Sequence, residues 1–305
     1  MKNIHSCVSL ARLCWLLGIT RQAFYQHFWN EQDISTEQNL VLEEVGRIRL
    51  EHPVIGTRKL QVLLQSFLLE HQIKMGRDAL FDLLSENKLL VRKRRRCIKT
   101  TQSHHWLKKY ANLIKQWHPS APMQLWVADI TYVPMKNGFL YLSLITDAYS
   151  HRIVGYYIAD TLEAVHTIKA LQMALDNENV TKQLIHHSDR GIQYCSYEYV
   201  KLLELRCIKI SMSENGDPLE NPVAERVNGI IKNEYLKHYS MQNQNEALQL
   251  LHETIRKYNN KRPHQSIQML TPDNVHTKQL LVNKTWSKKQ KTLTCKPISG
   301  LSQNL

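Results

Sequence analysis

Three carboxylates, Asp129, Asp189 and Glu225, occupy sequence positions from which they could together bind metal ions. Such a site could assist a reaction at a phosphodiester. Hard cations such as Mg²⁺ prefer carboxylate oxygens, and two such ions about 4 Å apart can stabilise the attacking and leaving oxygens together. Acids from two strands and a following helix could converge at one end of a sheet. The chain has 27 Asp and Glu residues, so composition alone does not select these three.

Asp129 lies within the β-rich run LWVADITYV, and Asp is uncommon in strands. Strand alternation divides this run into two faces, with Val127, Asp129, Thr131 and Val133 on one and Trp126, Ala128, Ile130 and Tyr132 on the other. An acid among valines on a half-buried face needs a partner, and a metal ion is one candidate. An edge strand that turns Asp129 towards solvent is the alternative.

Asp189 follows the strand-like LIHHS and precedes Arg190 and Gly191. Ligands usually bind at the carboxyl ends of strands in open α/β sheets, so a metal site fits this position. Asp before Gly is also an ordinary turn pair, and an Asx-turn explains the residue as well.

Glu225 lies near the start of a predicted helix over residues 222–238, which Asn221 can cap and Pro222 can begin. At 100° per residue, one face carries Val223, Val227, Ile230 and Ile231. The opposite face carries a stripe of Glu225, Asn228 and Lys232. A solvated helix face would produce the same stripe.

The elements that must position these acids begin at about residue 121. The runs LWVADITYV, FLYLSLITD and RIVGYYIAD predict three strands of an antiparallel meander. Helices follow at 161–176, 196–205 and 222–238, with short strands in QLIHHSD and IKISMS. The order βββαβαβα predicts the α/β class, with a mixed sheet flanked by helices.

The N-terminal part is predicted to be all-α. Residues 9–17 form a short helix, Gly18 ends it, and Thr20 caps a second helix that ends at about Phe28. This layout over residues 1–33 fits a helix-turn-helix, although a helical hairpin has the same pattern. In a helix-turn-helix the side chains facing DNA would be Arg21, Gln22, Gln26 and His27.

A second helical module is predicted over residues 36–103, after the polar link EQDISTEQ, with helices at 37–50, 57–70 and 77–90. It ends in a dense basic run, Arg92, Lys93, Arg94, Arg95 and Arg96. Phosphates would neutralise this run, so DNA contact is the preferred interpretation and a solvated basic linker the alternative. Residues 105–117 predict an amphipathic linker helix, within a linker assigned to 104–118.

Composition favours a polyanionic partner. The 305 residues carry a net charge of +13 and have a pI near 9.4, and residues 276–305 form a basic tail. The six cysteines form no CxxC pair, which is typical of reduced thiols in the cytoplasm. Apolar runs are too short to predict a membrane span, and Arg12 interrupts the signal-like start.

Three ordered segments, WVADITYV, HHSDRGIQY and SMSENGDPLENPVAERVNGIIKNEY, resemble the catalytic segments of the IS-three insertion-sequence transposases. The 35 residues from 190 to 224 separate Asp189 from Glu225, which is the spacing of the family's D,D-35-E pattern. Lys232 lies where the family carries a basic residue. YNNKRPHQSIQMLTP, with Arg262 and His264, resembles the segment that closes the core. HPVIGTRKL and the basic run resemble the family's DNA-binding module.

This resemblance implies an RNase H-like catalytic core over residues 119–275, of the retroviral-integrase type. It implies that Asp129, Asp189 and Glu225 hold two Mg²⁺ or Mn²⁺ ions, and that the protein cuts the ends of its element and joins 3′-hydroxyls to new phosphodiesters. Lys232, Asn228, Arg190, Arg262 and His264 would contact DNA. The expected partners are terminal inverted repeats, target DNA, further copies of the chain and an upstream-frame helix-turn-helix protein; the chain is either complete or the downstream part of a frameshift fusion.

Two other functions remain open from the sequence: a non-cleaving DNA-binding regulator derived from such an element, and a purely hydrolytic nuclease of the same fold. The sequence also departs from the family pattern, because Glu220-Asn221 replaces the more usual Asp-Asn before the catalytic Glu. No structural zinc is expected, since Cys97, His104 and His105 lack the spacing of zinc ligands.

Overall fold

Five strands form one mixed sheet: β1 (Leu125–Pro134), β2 (Phe139–Asp147), β3 (Ile153–Ala159), β4 (Ile185–Ser188) and β5 (Lys209–Met212). Their order in the sheet is β3-β2-β1-β4-β5. The first three are antiparallel neighbours, whereas β4 pairs parallel with β1 and β5 parallel with β4. The predicted meander and mixed sheet are therefore confirmed.

The structure is a computed structural model that describes residues 9–91, 106–115, 117–136, 138–180, 183–214 and 221–282, with only the backbone described at 27–35. The basic run Arg92, Lys93, Arg94, Arg95 and Arg96 lies outside the described residues, as does most of the predicted basic tail. Among the described residues, no helix combines the length and apolar character needed to cross a membrane.

Each face of the central strand β1 packs into its own hydrophobic cluster. Trp126 and Ala128 pack with residues of the helices on one side, whereas Val133 packs into the cluster on the other side. This is the predicted alternation, and it puts Asp129 on the same face as Val133. Each fully buried Val, Leu or Ile contributes roughly 1.5–3 kcal/mol, so the two clusters fix the register of the strand.

Among the described residues the core has five helices, of which the first three fall on the predicted helical segments and the last two were not predicted. They are α5 (Ala164–Asn177), α6 (Tyr197–Leu205), α7 (Pro222–Ile230), α8 (Gln244–Lys261) and α9 (Pro272–Thr277). The predicted single helix 222–238 changes character after α7, because Ile231–Tyr235 form a π-helical turn and Leu236–His238 a 3₁₀ turn. Packing also continues past the predicted domain end at residue 275, since Val282 packs against Tyr149 and its N–H donates to the Tyr149 hydroxyl.

Four helices precede the core: α1 (Leu10–Leu16), α2 (Arg21–Glu51), α3 (Thr57–Glu70) and α4 (Arg77–Glu86). Gly18 turns the chain between α1 and α2 with a φ of 68°, and the Thr20 side chain caps α2 as predicted. The prediction that a polar link follows Phe28 is wrong, because α2 continues without a break to Glu51. The link contains neither Gly nor Pro, and its Glu and Gln residues have good helix propensity.

The predicted linker helix at 105–117 is also wrong. Residues 106–115 lie in an irregular, non-helical path beside β5. The Ala111 carbonyl accepts from the Met212 N–H at 3.4 Å, and the Leu113 N–H donates to the Ser211 hydroxyl at 2.9 Å. Leu107 and Tyr110 pack against the core cluster beneath. Contacts with the sheet edge thus replace the i to i−4 bonds that helical periodicity predicted.

Candidate active site

Asp129 lies midway along β1, the central strand of the sheet. Its Cα partner on β2 is Leu144, and its Oδ2 accepts a 2.8 Å hydrogen bond from Asn228 Nδ2 on α7. Burial raises the pKa of Asp129 to about 7, and the charges of Asp189 and Glu225 also act to raise it. The hydrogen bond from Asn228 acts in the opposite sense. The charges of the other two carboxylates therefore favour the protonated form of Asp129.

Asp189 directly follows β4, the strand that pairs parallel with β1. The parallel register pairs Trp126 with His186 and Val127 with His187. Continued two residues beyond its last pair, the same register sets Asp189 beside Asp129, and the charge of Asp189 acts on the pKa of Asp129. The Asx-turn is present as well, because the Gly191 N–H donates to Asp189 Oδ1 at 3.0 Å. The turn therefore orients one oxygen of this carboxylate.

Glu225 is exposed on the first turn of α7, the helix that packs against the sheet through Ala224 and Val227. The expected side-chain cap by Asn221 is wrong: Asn221 Nδ2 instead donates at 3.0 Å to the carbonyl of Ala128, one residue before Asp129. This bond ties the start of α7 to β1 and sets the height of Glu225 relative to the two aspartates.

Asn228 lies on the packed side of α7, with only 3% of its surface exposed, although the helical wheel places it opposite the packing face. It faces Asp129, so the predicted exposed stripe reduces to Glu225 and the half-buried Lys232. Lys232 lies in the π-helical turn, and Arg190 is half-buried immediately after Asp189. The predicted DNA contacts of these three residues stay predictions.

The oxygen donors of the site suit a divalent cation, although the described side chains do not bring three ligands together. No group of three or more His, Cys, Asp or Glu side chains is placed to hold a metal ion in the part of the chain that the structure describes. The available donors are nevertheless hard oxygens, which Mg²⁺ prefers. Two buried oxygens, Asn228 Oδ1 and the Tyr194 hydroxyl, have no hydrogen-bond partner among the described residues. The pKa of Tyr194 is raised well above its usual range by burial, by Tyr199 and by the charges of Asp129 and Asp189.

Asn221 and Tyr194 are site residues that the sequence does not reveal. The local pattern predicts Asn221 only as a helix cap, and Tyr194 has no local feature that distinguishes it from a core aromatic residue. Asn221 acquires its place from its hydrogen bond to β1, and Tyr194 from its packing in the core, where the charges of Asp129 and Asp189 act on its pKa.

Arg262 and His264 are buried, and their predicted contacts with DNA stay predictions. Arg262 is 1% exposed and donates from Nε and Nη2 to the carboxylate of Glu234 at 2.8–3.1 Å. Its Nη1 lies 3.0 Å from His264 Nε2, and the His264 ring stacks on His151. Burial lowers the pKa of His264 well below its usual value, and the Arg262 charge acts in the same direction. Both residues therefore stabilise the segment that closes the core.

In the N-terminal helices, Arg21, Gln22 and Gln26 are exposed on the first turns of α2. The side chain of His27 lies outside the described residues. Their predicted contacts with DNA stay predictions, because the structure shows only that three of them are accessible.

The chain matches the family described as Integrase core domain over residues 119–218, and a second family of the same description over residues 206–272. It is 38% identical to the insertion element IS600 uncharacterized 31 kDa protein of Shigella sonnei, over 85% of this chain and 96% of that one. It is 31% identical to the transposase for insertion sequence element IS629 of Shigella sonnei, over 82% and 85% of the two chains.

Among solved structures, the catalytic core domain of HTLV-2 integrase in complex with magnesium is 21% identical, with a TM-score of 0.42. That likeness covers 51% of this chain and 97% of the integrase domain.

The mixed sheet with its flanking helices, together with the family matches, defines a polynucleotidyl transferase with an integrase-like core. The chain belongs to the IS-three family of insertion-sequence transposases. It is therefore a DNA transposase with a helical N-terminal region and an integrase core domain.

Proposed function

We propose that this transposase cuts DNA at the ends of its insertion element and joins the 3′-hydroxyls to new phosphodiesters at a site built by Asp129, Asp189 and Glu225. The observation that carries the proposal is the parallel register of β1 and β4, which, continued by two residues, would set Asp189 level with Asp129. The charge of Asp189 helps to raise the pKa of Asp129 to about 7, and a bound cation would relieve this repulsion.

Asp129 and Asp189 would hold two Mg²⁺ or Mn²⁺ ions from the sheet, and Glu225 would do so from α7. The carboxylate oxygens of these residues are the donors that such hard cations prefer. When bound, the ions supply charge stabilisation to the attacking and leaving oxygens of the phosphodiester. Asn228 orients the Asp129 carboxylate through its 2.8 Å hydrogen bond and favours the ionised form, which is the form that binds a cation.

The substrates would be the terminal inverted repeats of the element and the target DNA. Arg21 and Gln22 on α2 and the basic run Arg92, Lys93, Arg94, Arg95 and Arg96 would bind the element ends, while Lys232 and Arg190 contact the backbone near the carboxylates. Two ends must be processed together, so several copies of the chain would assemble on DNA, with an upstream-frame helix-turn-helix protein as a further partner. The reaction would take place in the bacterial cytoplasm.

The decisive test is Asp129→Asn, which keeps the shape of the side chain and removes its charge. With Mg²⁺ or Mn²⁺ present, cleavage of a supercoiled plasmid carrying the element should be lost, while binding to the element ends is retained. Asp176→Asn, at an exposed position on α5, is the matched control and should cleave normally. Unchanged cleavage by Asp129→Asn would refute the carboxylate assignment.

The same assay separates the proposed reaction from its two rivals. Joined products distinguish a transposase reaction from simple hydrolysis, which yields only nicked or linear DNA. A wild-type chain that binds element ends but never nicks the plasmid would instead support a non-cleaving regulator.

A further inference from the structure

Two serines, Ser211 in β5 and Ser213 just after it, belong to the face of the sheet that carries Asp189. The parallel register pairs His187 with Ser211, and the side chains of this pair meet, since His187 Nδ1 lies 2.9 Å from the Ser211 hydroxyl. Side chains two residues apart on a strand share a face, so Asp189 and Ser213 are the next residues along this face. The His187–Ser211 contact shows that neighbours in this register come within hydrogen-bond distance.

The pairing of β4 with β5 continues past the last residue of β5. The Ser213 N–H donates to the carbonyl of Ser188 at 3.0 Å and so extends the hydrogen-bond ladder. Ser188 pairs with Met212, and continuing the register by one residue sets Ser213 beside Asp189. Ser213 therefore lies at the carboxyl edge of the sheet, next to one of the proposed catalytic carboxylates.

The fold uses the hydroxyls of the two serines differently. The Ser211 hydroxyl accepts from the Leu113 N–H at 2.9 Å and also bonds with His187, so it is satisfied within the protein. Ser213 is 3% exposed, and its hydroxyl has no hydrogen-bond partner in the part of the chain that the structure describes. Burying a hydroxyl without a partner costs free energy, and such groups are uncommon in native structures.

A hydroxyl beside a metal-binding carboxylate has a defined use. Hydrogen bonds from neighbouring donors orient carboxylate ligands, and loss of such a donor typically weakens metal binding about 10–100-fold. Asp189 receives one such bond at Oδ1, from the Gly191 N–H at 3.0 Å. A serine O–H is a suitable further donor, because each oxygen of an ionised carboxylate accepts more than one hydrogen bond.

We propose that Ser213 is a positioning residue of the active site, whose hydroxyl donates to the Asp189 carboxylate and holds it in the orientation that binds a divalent cation. This rests on the proposed function and deepens it, because it adds a residue at the end of β5 to a site otherwise built from β1, β4 and α7. Ser213 acts through Asp189 and is not itself a ligand of the ion.

The test measures the binding of Mn²⁺ alone, without DNA. Mn²⁺ is titrated into the purified chain, and the electron paramagnetic resonance signal of the free ion gives the dissociation constant. Ser213→Ala should weaken Mn²⁺ binding about 10–100-fold. Ser213→Thr keeps the hydroxyl and should restore the affinity to nearly that of the wild type. Wild-type affinity in Ser213→Ala would overturn the proposal.

Ser211→Ala is the matched control, two residues away on the same face. It removes a hydroxyl that makes two hydrogen bonds within the fold, so it should lower the melting temperature in EDTA and leave the Mn²⁺ affinity unchanged. Ser213→Ala should do the reverse, because loss of an unpaired buried hydroxyl leaves the metal-free melting temperature unchanged or raises it. An equal fall in the metal-free melting temperature of both variants would make Ser213 a purely structural residue and refute the proposal.

Asp129→Asn separates this proposal from the proposed function. It should abolish Mn²⁺ binding at the site, because it removes the charge of one proposed ligand. Equal Mn²⁺ binding by the wild type and Asp129→Asn would mean that the carboxylate assignment itself fails. Loss of binding in Asp129→Asn, with binding retained in Ser213→Ala, would refute the role of Ser213 alone.

Discussion

Asn228 donates a 2.8 Å hydrogen bond to Oδ2 of Asp129 and so joins helix α7 to the middle of β1. Burial and the two neighbouring carboxylates raise the pKa of Asp129, and this hydrogen bond opposes them. One amide therefore positions the carboxylate and also adjusts how readily it ionises.

Asn228→Ala should shift the pH dependence of DNA cleavage. Without the hydrogen bond the pKa of Asp129 rises above about 7, so fewer molecules carry the ionised carboxylate near neutral pH. A hydrogen bond to a charged group is worth about 1.5–3 kcal/mol, which corresponds to a loss of roughly tenfold or more near neutral pH. Cleavage should recover as the pH is raised. The pH–rate profile is the measurement.

The control for Asn228→Ala is Asn274→Ala, at an exposed position on α9, which should leave the profile unchanged. If Asn228→Ala lowered the rate equally at all pH values, its role would be structural and the effect on Asp129 ionisation would be excluded.

Asp129 should make the metal-free protein less stable as the pH rises. Its pKa is about 7 in the folded state and near 3.8 when unperturbed, so the folded state binds this proton more tightly. The resulting stabilisation is complete below about pH 4 and is lost as the pH rises through about 7, by a few kcal/mol at most. Asp129→Asn should remove this loss. Urea unfolding in EDTA at several pH values measures it.

Addition of Mg²⁺ should restore stability to the wild-type protein at neutral pH and have little effect on Asp129→Asn. Asp176→Asn, which removes an exposed acid, should keep the pH dependence of the wild type. Identical pH dependence in wild type and Asp129→Asn would show that Asp129 is not the group responsible.

The succession of strands along the chain and the alternation in β1 could be predicted because they depend on local periodicity. Trp126 and Val133 reveal their opposite faces in the sequence itself, and the structure packs them into different clusters. Residues 106–115 show the limit of that method. Their helical pattern is overridden by β5, whose Ser211 and Met212 supply hydrogen-bond partners from a distant part of the chain.

In the candidate site, too, some features could be predicted from the sequence and others depend on distant contacts. The spacing of Asp189 and Glu225 supports the family resemblance, and the carboxylates lie on the predicted elements. Charge and sequence position do not distinguish a DNA-binding arginine from a buried one, so the sequence predicts DNA contact for Arg262. Only the fold shows that Glu234 accepts its guanidinium.

Glu234→Gln should destabilise the protein strongly. Arg262 is almost fully buried and its guanidinium is neutralised by Glu234, whose side chain is 23% exposed. Removing one partner of a buried ion pair leaves an uncompensated charge and typically costs about 3–5 kcal/mol. Glu51→Gln is the matched control, because it breaks the adjacent but exposed pair with Lys261 and should cost less than about 1 kcal/mol. Equal effects in urea unfolding would contradict the structural role of Arg262.

Gly155→Ala should loosen the packing of α5 on the sheet. A Cβ built at Gly155 on β3 would lie 2.2 Å from the carbonyl oxygen of Ala170 and 2.8 Å from Ala174 Cβ. Both neighbours belong to α5. Because a backbone carbonyl cannot rotate away as the end of a flexible side chain can, the whole helix must move away from β3. Overpacking of this kind costs about 1–3 kcal/mol, measured as a fall in the free energy of unfolding.

Gly46→Ala tests whether that loss comes from the close approach or from glycine replacement in general. Gly46 lies in α2 with nothing within 4 Å of an added Cβ, so alanine there should stabilise the helix by up to about 1 kcal/mol. The two substitutions should therefore change the free energy of unfolding in opposite directions. If Gly155→Ala also raised the stability, α5 would have room above β3, and the close packing that holds this side of the catalytic sheet would be refuted.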